Sequence, residues 1–322
     1  MALEVDETDK RIIYELDKNA RIPEVKLAKI IGKSKESIRY RIKKLLDQKI
    51  ILGFTTWIDP TKLGYKTEKV YLNLANIPAK KEEFLEYVKK DKRLFWLGVA
   101  EGAWNIGLTY FVKSPEEFFN LKNDLFSRFK NLIIENKTAA VVSIHYHEQT
   151  FLHRGEAQWE TMFEESQNIE LDKVSKKILK SLFKNSRENV ATMAYENNTT
   201  VDIVRNRIKR MEEQRIIKKY TSVIDYEKLG YEFFKTFLYF KSLNEKELSR
   251  LMDYALNNEN IIHLVKAISP WDIELETRCK NFSAYNAVIS SLTKEFSKNI
   301  QKVETAIMGQ DYIFPAERMV FE

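Results

Sequence analysis

The sequence predicts an α+β fold made of two tandem units, each with a three-helix segment followed by a β-α-β-β-α-β module. The first observation behind this prediction is a long internal repeat, in which residues 6–65 align without a gap on residues 172–231. The second is the change, within each copy, from a helical period to the alternating period of strands. Solenoid repeats span only about 20 to 50 residues. The two copies are therefore domain-sized.

The composition is that of an ordinary globular protein. The chain has 322 residues, of which 44% are hydrophobic and 31% charged, enough for two to four domains with their own cores. The absence of a long apolar run and of a signal-peptide pattern predicts neither a membrane span nor secretion, and the single Cys279 fits a cytoplasmic protein. A net charge of +6 favours a polyanionic partner only where the positive charge is clustered.

The first two helices are predicted from their ends. Asp6 suits the cap of a first helix, and Pro23 suits the first position of a second. Gly32 is a typical end for that second helix, and Ser34 can cap a third. Two helices, a short turn with glycine and a third, polar helix together form a helix-turn-helix pattern.

The third helix carries the clustered charge. Ile38, Ile42 and Leu45 share one buried stripe, which turns the cationic residues outward. Residues 33–49 hold seven cations against two acids, and the equivalent residues 199–215 hold five against three. This pattern predicts binding to double-stranded DNA. The predicted DNA-binding residues of the two copies are Lys35, Ser37, Arg39, Tyr40, Arg41, Lys43, Lys44, Thr200, Arg205, Asn206, Arg207, Lys209 and Arg210.

The two copies are predicted to read different half-sites. Cations mainly position a protein on phosphates, whereas polar side chains read base edges. Ser37 and Tyr40 are the predicted groove contacts of the first copy, and Asn206 of the second can read an adenine edge. The prediction is an asymmetric operator. Two alternatives stay open: an ordinary solvated helix face or protein-docking module, and an architectural protein that binds DNA by charge alone.

The rest of each copy is rich in strands. Residues 49–58 predict two short strands with a turn at Gly53, which would form a wing. Aromatic residues on the strands of the module suggest that its open face packs on a second sheet; they are Tyr71, Phe95, Trp104 and Tyr110. The predicted elements of the first module are strands at 70–75, 94–100, 104–112 and 134–148 and helices at 81–89 and 115–129. Their order is that of a ferredoxin-like fold.

These motifs together resemble the Lrp/AsnC family of transcription regulators. Asp59-Pro60-x-x-Leu63-Gly64-Tyr65 is similar to the linker of that family, and Gly102-x-Trp104-Asn105 to its Gly-x-aromatic-Asp/Asn turn. The resemblance implies modules that pair sheet to sheet, and an amino-acid effector bound near Gly102, Trp104 and Asn105. In the second copy Ser269-Pro270-Trp271-Asp272 replaces the turn and lacks its glycine, so effector binding is implied at the first copy.

The repeat and the resemblance together predict how the chain is divided. The predicted segments are 1–65 and 171–231 for the winged helix-turn-helix domains, 66–153 and 232–322 for the modules, and 154–170 for the linker. Trp159, Met162 and Phe163 suggest an amphipathic helix in that linker. Tethered modules pair readily because the tether raises their effective concentration. We expect an internal pseudo-dimer, and the rival is two chains that pair like module with like module.

Enzymatic functions are disfavoured by the motifs. The sequence has no P-loop, no Gly-x-Gly-x-x-Gly and no Gly-x-Ser-x-Gly. His145 and His147, next to Glu148, fall short of the three or four ligands of a zinc site, so we predict no metal and no cofactor. One alternative is a sirohaem decarboxylase, since those enzymes share the two-part layout. Their His-x-Tyr-x-Arg-like stretch has no counterpart in residues 99–105, which contain neither His nor Arg.

Overall fold

The computed structural model describes residues 5–153, 155, 159–163 and 166–314. These residues form two compact units. The helical unit comprises the described residues of 1–59, 147–160 and 169–232, and the sheet unit comprises those of 60–146, 161–168 and 233–322. Across the part of the chain that is described, every helix is too short or too polar to cross a membrane.

The elements follow the predicted order twice. In the first copy they are α1 (Glu7–Lys18), α2 (Glu24–Ile31), α3 (Lys35–Asp47), β1 (Ile51–Ile58), a 3₁₀ turn (Pro60–Lys62), β2 (Lys66–Leu74), α4 (Pro78–Lys89), β3 (Leu94–Gly102), β4 (Ile106–Val112), α5 (Pro115–Arg128) and β5 (Ile133–His147). β6 (Trp159–Met162) follows. The second copy contains α6 (Lys173–Lys184), α7 (Val190–Glu196), α8 (Val201–Glu213), β7 (Ile217–Ile224), β8 (Glu232–Phe240), α9 (Glu245–Leu256), β9 (Ile261–Ile268), β10 (Ile273–Cys279), α10 (Phe282–Glu295) and β11 (Ile300–Ile313). The α+β fold class is thereby confirmed.

Local sequence explains why both copies adopt the same helices. Asp6 caps α1 by accepting from the amide of Asp9, and its equivalent Asp172 caps α6 in the same way. α2 ends at Gly32 in the left-handed region, with φ of +75°, and the equivalent position is Asn198, with φ of +48°. Asparagine is among the few residues other than glycine that tolerate this conformation. The repeat thus preserves conformation where it does not preserve identity.

The predicted turn at Gly53 is wrong. β1 is a single strand, and it pairs antiparallel with β7, its own repeat, instead of folding back on itself. Thr55 lies opposite its equivalent Thr221, so the two strands are related by a local pseudo-twofold axis. Gly53 lies at an irregularity of this ladder rather than in a turn. An eight-residue strand gains more hydrogen bonds from a full-length partner than from a hairpin of half its length.

The sheet unit contains a closed sheet. The two modules contribute the strands in the order β2-β4-β3-β11-β8-β10-β9-β5, and β5 also pairs with β2. Each module keeps the strand order of a ferredoxin-like fold, and β11 joins β3 while β5 joins β9 to connect the modules. β6 adds a further strand beside β5. The open sheet face anticipated from the sequence is therefore covered by the other module of the same chain.

Alternation along the strands separates two apolar cores. One face of the first module packs on α4 and α5 through residues such as Leu72 and Phe84. The other, which we call the inner face, contains residues of both modules: Tyr71, Trp96, Ala100, Trp104, Ala139, Phe237, Trp271 and Ala306. The prediction for Tyr71 and Trp104 is confirmed, and Phe95 packs against this cluster from a partly buried position. For Tyr110 it is wrong, because alternation places that ring with Leu108 on the helix side.

The predicted linker helix is also wrong where the chain is described. Trp159–Met162 is the strand β6, and Phe163 has a φ of +63°, which no α-helix contains. The spacing of Trp159, Met162 and Phe163 reflects burial rather than a helical stripe, since Met162 and Phe163 are both buried. Residues 154, 156–158, 164 and 165 of the predicted linker lie outside the described residues.

A pH dependence follows from His145. Burial, together with nearby Lys266, lowers the pKa of His145 to about 4 from an ordinary value of 6.5. Between these two values the unfolded chain takes up a proton that the folded chain does not. Stability is therefore expected to fall as the pH drops from 6.5 to 4, by about 1 to 2 kcal/mol after allowance for solvent screening, and to level off below. Urea denaturation of the parent and of His145→Asn across this range checks it, and equal pH dependence in both would contradict it.

Candidate nucleic-acid interface

The third helix of the first copy presents a cationic face. Its cap Ser34 accepts from the amide of Ser37, which fixes the start of α3, and Ile38, Ile42 and Leu45 anchor its buried side. Tyr40 then projects from the opposite side, with 69% of its surface exposed. The exposed cations beside it are Lys33, Lys35, Arg39 and Lys43. In a helix-turn-helix, the exposed face of this helix is the one that enters the major groove of DNA.

The exposed ion pairs on this face are weak. Arg39 pairs with Glu24 at 2.9 Å, and Lys43 pairs with Asp47 one turn further along α3, also at 2.9 Å. Pairs exposed to solvent are screened by it and contribute little to stability. Their cations can therefore exchange a carboxylate for a DNA phosphate at little cost. Lys44 lies 3.9 Å from Asp9 and is more sheltered.

Arg41 is placed differently from the other predicted contacts. Its guanidinium donates to Asp6 at 2.8 Å and to the buried Asp9 at 2.7 Å, which joins α3 to the capped start of α1. The equivalent Arg207 pairs with Asp172 at 2.7 Å. The Ser175 amide and the charge of Arg207 hold the pKa of Asp172 below its usual range against the effect of burial. Both arginines thus hold the recognition helix in place.

The second copy offers a less cationic and more neutral face. Thr200 caps α8 by accepting from the amide of Ile203, which occupies the position of Ser37 and is partly exposed. Asn206 is exposed where the first copy has Tyr40. The remaining predicted contacts are three exposed cations, Arg205, Lys209 and Arg210. Arg205 lies 3.4 Å from Asp202, and Lys209 lies 3.7 Å from Glu213. The two faces are similar in layout and different in chemistry.

Both helix-turn-helix copies belong to the one helical unit. The β1–β7 ladder connects them, and reciprocal bonds reinforce it. Arg21 donates to the carbonyl of Ser186, and its equivalent Arg187 donates to the carbonyl of Ala20 at 2.7 Å. A single chain therefore carries two candidate recognition helices in one unit, related by the local pseudo-twofold axis of the ladder.

The residues predicted for an effector have structural contacts. Gly102 has a φ of +116°, and a Cβ at this position would collide with the carbonyl oxygen of Thr305. Trp104 is buried in the inner face. The side-chain oxygen of Asn105 accepts from the amide of Leu74 at 3.0 Å. The glycine therefore permits close packing between the two modules, which is a different role from the ligand approach expected from the sequence.

Comparison with known proteins identifies the family. An AsnC-type helix-turn-helix domain matches residues 5–46. An HTH-type transcriptional regulator of Pyrococcus furiosus is 31% identical over 44% of this chain and 93% of its own length. The chain belongs to the Lrp/AsnC family. Another relative, the transcriptional regulator AzlB of Bacillus subtilis, is 32% identical over 44% of this chain and 90% of its own length.

The fold of the whole chain has a different counterpart. The siroheme decarboxylase NirDL, solved in complex with an iron-uroporphyrin III analogue, matches with a TM-score of 0.66 over 98% of this chain and 96% of its own. Its sequence identity is 12%, so the likeness concerns the fold alone. The sequence of this Lrp/AsnC protein thus matches regulators over a length of about one copy. Its fold matches a two-copy protein over nearly the whole chain.

The structure also identifies contacts that residue-type patterns did not suggest. The sequence assigns Asp6 to a helix cap, yet Asp6 and its neighbour Asp9 also bind Arg41. The sequence contains a signal for this contact, because the second copy retains Asp6 as Asp172 and Arg41 as Arg207. Retention of both members of an opposite-charge pair in two diverged copies is a sign of contact between them.

Replacing Arg41 tests its assignment. Arg41→Ala removes two charge-assisted bonds, one to a buried carboxylate, and is expected to destabilise the helical unit by about 1.5 to 3 kcal/mol. Arg39→Ala, the control, breaks only an exposed pair and should leave the free energy of unfolding close to that of the parent. Urea denaturation measures both. The salt dependence of DNA binding by folded Arg41→Ala should match that of the parent, and a slope reduced by about one would instead indicate a phosphate contact.

Proposed function

We propose that the chain is a sequence-specific DNA-binding transcription regulator of Lrp/AsnC type, with two unequal recognition helices in one helical unit. The observation that carries the proposal is the exposed polar and cationic face of α3, repeated in altered form on α8. Membership of a regulator family supports it, and so does the pairing of β1 with β7, which holds the two copies together.

The proposed contacts fall into two groups. Phosphates are held by Lys35, Arg39, Lys43 and Lys44 on the first copy and by Arg205, Lys209 and Arg210 on the second. Bases are read by Ser37 and Tyr40 on the first copy and by Asn206 on the second, with Thr200 at the start of its helix. Arg41 and Arg207 position the helices through their acidic partners. The segment division 1–65, 66–153, 154–170, 171–231 and 232–322 is part of the same proposal.

The operator is proposed to be asymmetric. Because Tyr40 and Asn206 occupy equivalent positions, the two half-sites are read by an aromatic phenol and by a carboxamide. Asparagine pairs with adenine through two hydrogen bonds, worth about 1 to 3 kcal/mol of discrimination, whereas tyrosine has no such pairing. Asn206→Ala should relax specificity in one half-site only, and Tyr40→Ala in the other.

Selection of fragmented genomic DNA on the full chain tests the proposal. The selection is made at low and at near-physiological salt. A motif that survives the higher salt, with two different halves, is the expected result. Recovery that collapses with salt and yields no motif would indicate binding by charge alone. A strict palindrome would contradict the unequal half-sites.

A small-molecule effector, such as an amino acid, is a further part of the proposal. The resemblance implies a site near Gly102, Trp104 and Asn105, and their internal contacts suit residues that position the loop rather than touch the ligand. The operator found by selection allows a direct test, in which DNA affinity is measured with each amino acid in turn. A change with one amino acid, abolished by Asn105→Ala in a chain that still binds DNA, is the expected result.

A second candidate function is that of a sirohaem decarboxylase-like enzyme. The observation that favours it is the similarity of fold over 98% of the chain. A tetrapyrrole with several carboxylates requires cationic partners. On the inner face Lys69 and Lys235 are both paired with Glu274, which leaves them poorly suited to that role. Titration with an iron porphyrin carboxylate, followed by its absorption spectrum, tests this candidate, and tight stoichiometric binding would favour the enzyme.

A further inference from the structure

Two buried ion pairs connect the first copy to the second, one in each unit. Both are asymmetric between the copies: in each pair, at least one position that supplies a charge in one copy holds an uncharged residue in the other. This asymmetry bears on the rival arrangements, in which a copy pairs either with the unlike copy or with a like copy from a second chain.

The pair in the helical unit joins α1 to β7. The Asp17 carboxylate lies 3.1 Å from the Lys219 ammonium, and the Thr221 hydroxyl donates to Asp17 at 2.8 Å. The two charged side chains are only 3% and 5% exposed. By the repeat, Asp17 is equivalent to Phe183 and Lys219 to Gly53. Each copy therefore supplies one charge and lacks the other.

Pairing of like copies would deprive each of these charges of its partner from the other copy. Two first copies joined through the same surfaces would bury Asp17 against Gly53, and two second copies would bury Lys219 against Phe183. A buried charge without a partner is strongly unfavourable, whereas a matched pair is tolerated. Only the unlike pairing neutralises both charges.

The pair in the sheet unit lies beside the inner face. The Lys69 ammonium of the first module contacts both carboxylate oxygens of Glu274 in the second at 3.0 Å, and Tyr71 donates to the same carboxylate. Lys235 binds Glu274 and Glu276. The lysine is retained in both copies, since Lys69 is equivalent to Lys235. The two glutamates, in contrast, occur only in the second copy.

The residues equivalent to Glu274 and Glu276 show which charges two like modules would bury in the sheet unit. β4 and β10 correspond, so Gly107 and Thr109 stand where Glu274 and Glu276 stand. Two first modules would enclose two lysines and none of these carboxylates. Two second modules would enclose two lysines and four carboxylates. The unlike pairing encloses two of each and is the balanced arrangement.

We propose that these two ion pairs form a charge code that makes each copy bind the unlike copy and reject a second copy of itself. The two sites are in separate units and reach the same result through different residues. The code acts in addition to the tether, which favours proximity without excluding the wrong partner. It concerns assembly alone and holds whether or not the chain binds DNA.

Disulfide trapping in the full chain tests the code. Gly53 and Val223 are opposite each other in the β1–β7 ladder, and a Cβ on Gly53 meets nothing within 4 Å. Gly53→Cys/Val223→Cys therefore reports unlike pairing as a disulfide within the monomer. Thr55 lies opposite its own equivalent, so Thr55→Cys alone reports like pairing as a covalent dimer. The one native cysteine, Cys279, is buried.

In the otherwise unmodified chain we expect the internal disulfide and no covalent dimer. Asp17→Lys places two ammoniums together and should lower the yield of the internal disulfide at least about ten-fold. The charge-reversed Asp17→Lys/Lys219→Asp should restore it. In the sheet unit, the internal disulfide of Glu101→Cys/Ile307→Cys reports unlike pairing, because these two residues are opposite each other between β3 and β11. Adding Lys69→Glu should lower the yield of this disulfide. Adding the charge reversal Lys69→Glu/Glu274→Lys should restore it.

Three outcomes would overturn the proposal. The first is an undiminished internal disulfide in Asp17→Lys and Lys69→Glu. The second is failure of the charge-reversed chains to recover the disulfide, including failure to fold, since reversal preserves the balance of charge. The third is a covalent dimer formed by Thr55→Cys in the otherwise unmodified chain.

Discussion

Glu274→Gln is expected to destabilise the sheet unit by about 3 to 5 kcal/mol. Glu274 is fully buried, and its carboxylate accepts from Lys69, Lys235 and Tyr71. Burial alone would raise the pKa of Glu274, but Lys235 and Lys69 outweigh it and hold the pKa below its usual range. The uncharged amide would leave two buried ammoniums with Glu276 alone.

Urea denaturation, followed by the fluorescence of the tryptophans, measures the effect. The matched control is Glu304→Gln, which removes a carboxylate bound to Lys137 and Lys302 at the partly exposed edge of the same unit. Solvent screens this partly exposed carboxylate more than the fully buried Glu274, so this variant should lose clearly less stability than Glu274→Gln. Comparable losses in the two variants would contradict the role given to Glu274. Lys69→Met should cost less than Glu274→Gln, because Lys235 still neutralises the carboxylate.

The second large effect concerns DNA. Lys35→Gln/Lys43→Gln removes two exposed cations from α3 and is expected to reduce the slope of log K against log salt by about two, with affinity falling about 10- to 100-fold at low salt. Each phosphate contact releases about one counterion, which explains the slope. Filter binding or anisotropy across a salt series measures it, on the operator recovered by selection.

Two comparisons make this result specific. Lys209→Gln/Arg210→Gln on α8 should reduce the slope by a similar amount, since both copies are proposed to contact phosphate. Lys80→Gln/Lys81→Gln removes two cations from α4 of the sheet unit and should leave the slope unchanged. An unchanged slope after substitution of α3, or an equal fall after substitution of α4, would show that the contacts were assigned to the wrong face.

Much of the fold could be predicted from the sequence because its signals are local. Caps such as Asp6 and Ser34, the stripe of Ile38, Ile42 and Leu45, and the strand alternation each depend on residues a few positions apart. The repeat then doubled every signal. The order and type of the elements were predicted on that basis, with ends that differ from the observed ones by a few residues.

Partner choice could not be predicted in this way. The alternation of residues 51–58 shows a strand but does not say which strand it pairs with, and the prediction of a hairpin at Gly53 failed for that reason. Asp17 and Lys219 are 202 positions apart, so no periodicity connects them. The same holds for Gly102, whose glycine is required by the carbonyl of Thr305 in the other module. Such contacts are consequences of the tertiary fold.

The ladder between β1 and β7 has a consequence for how the protein responds to its own abundance. A regulator that dimerises from separate subunits loses its binding form on dilution, because assembly depends on the concentration of the subunits. Here both recognition helices belong to one covalent chain, and the β1–β7 ladder joins them. The pairing of the two copies through this ladder is unimolecular, so it does not depend on protein concentration. For the proposed regulator, operator occupancy below saturation would then rise in proportion to the number of chains, with no threshold set by subunit assembly.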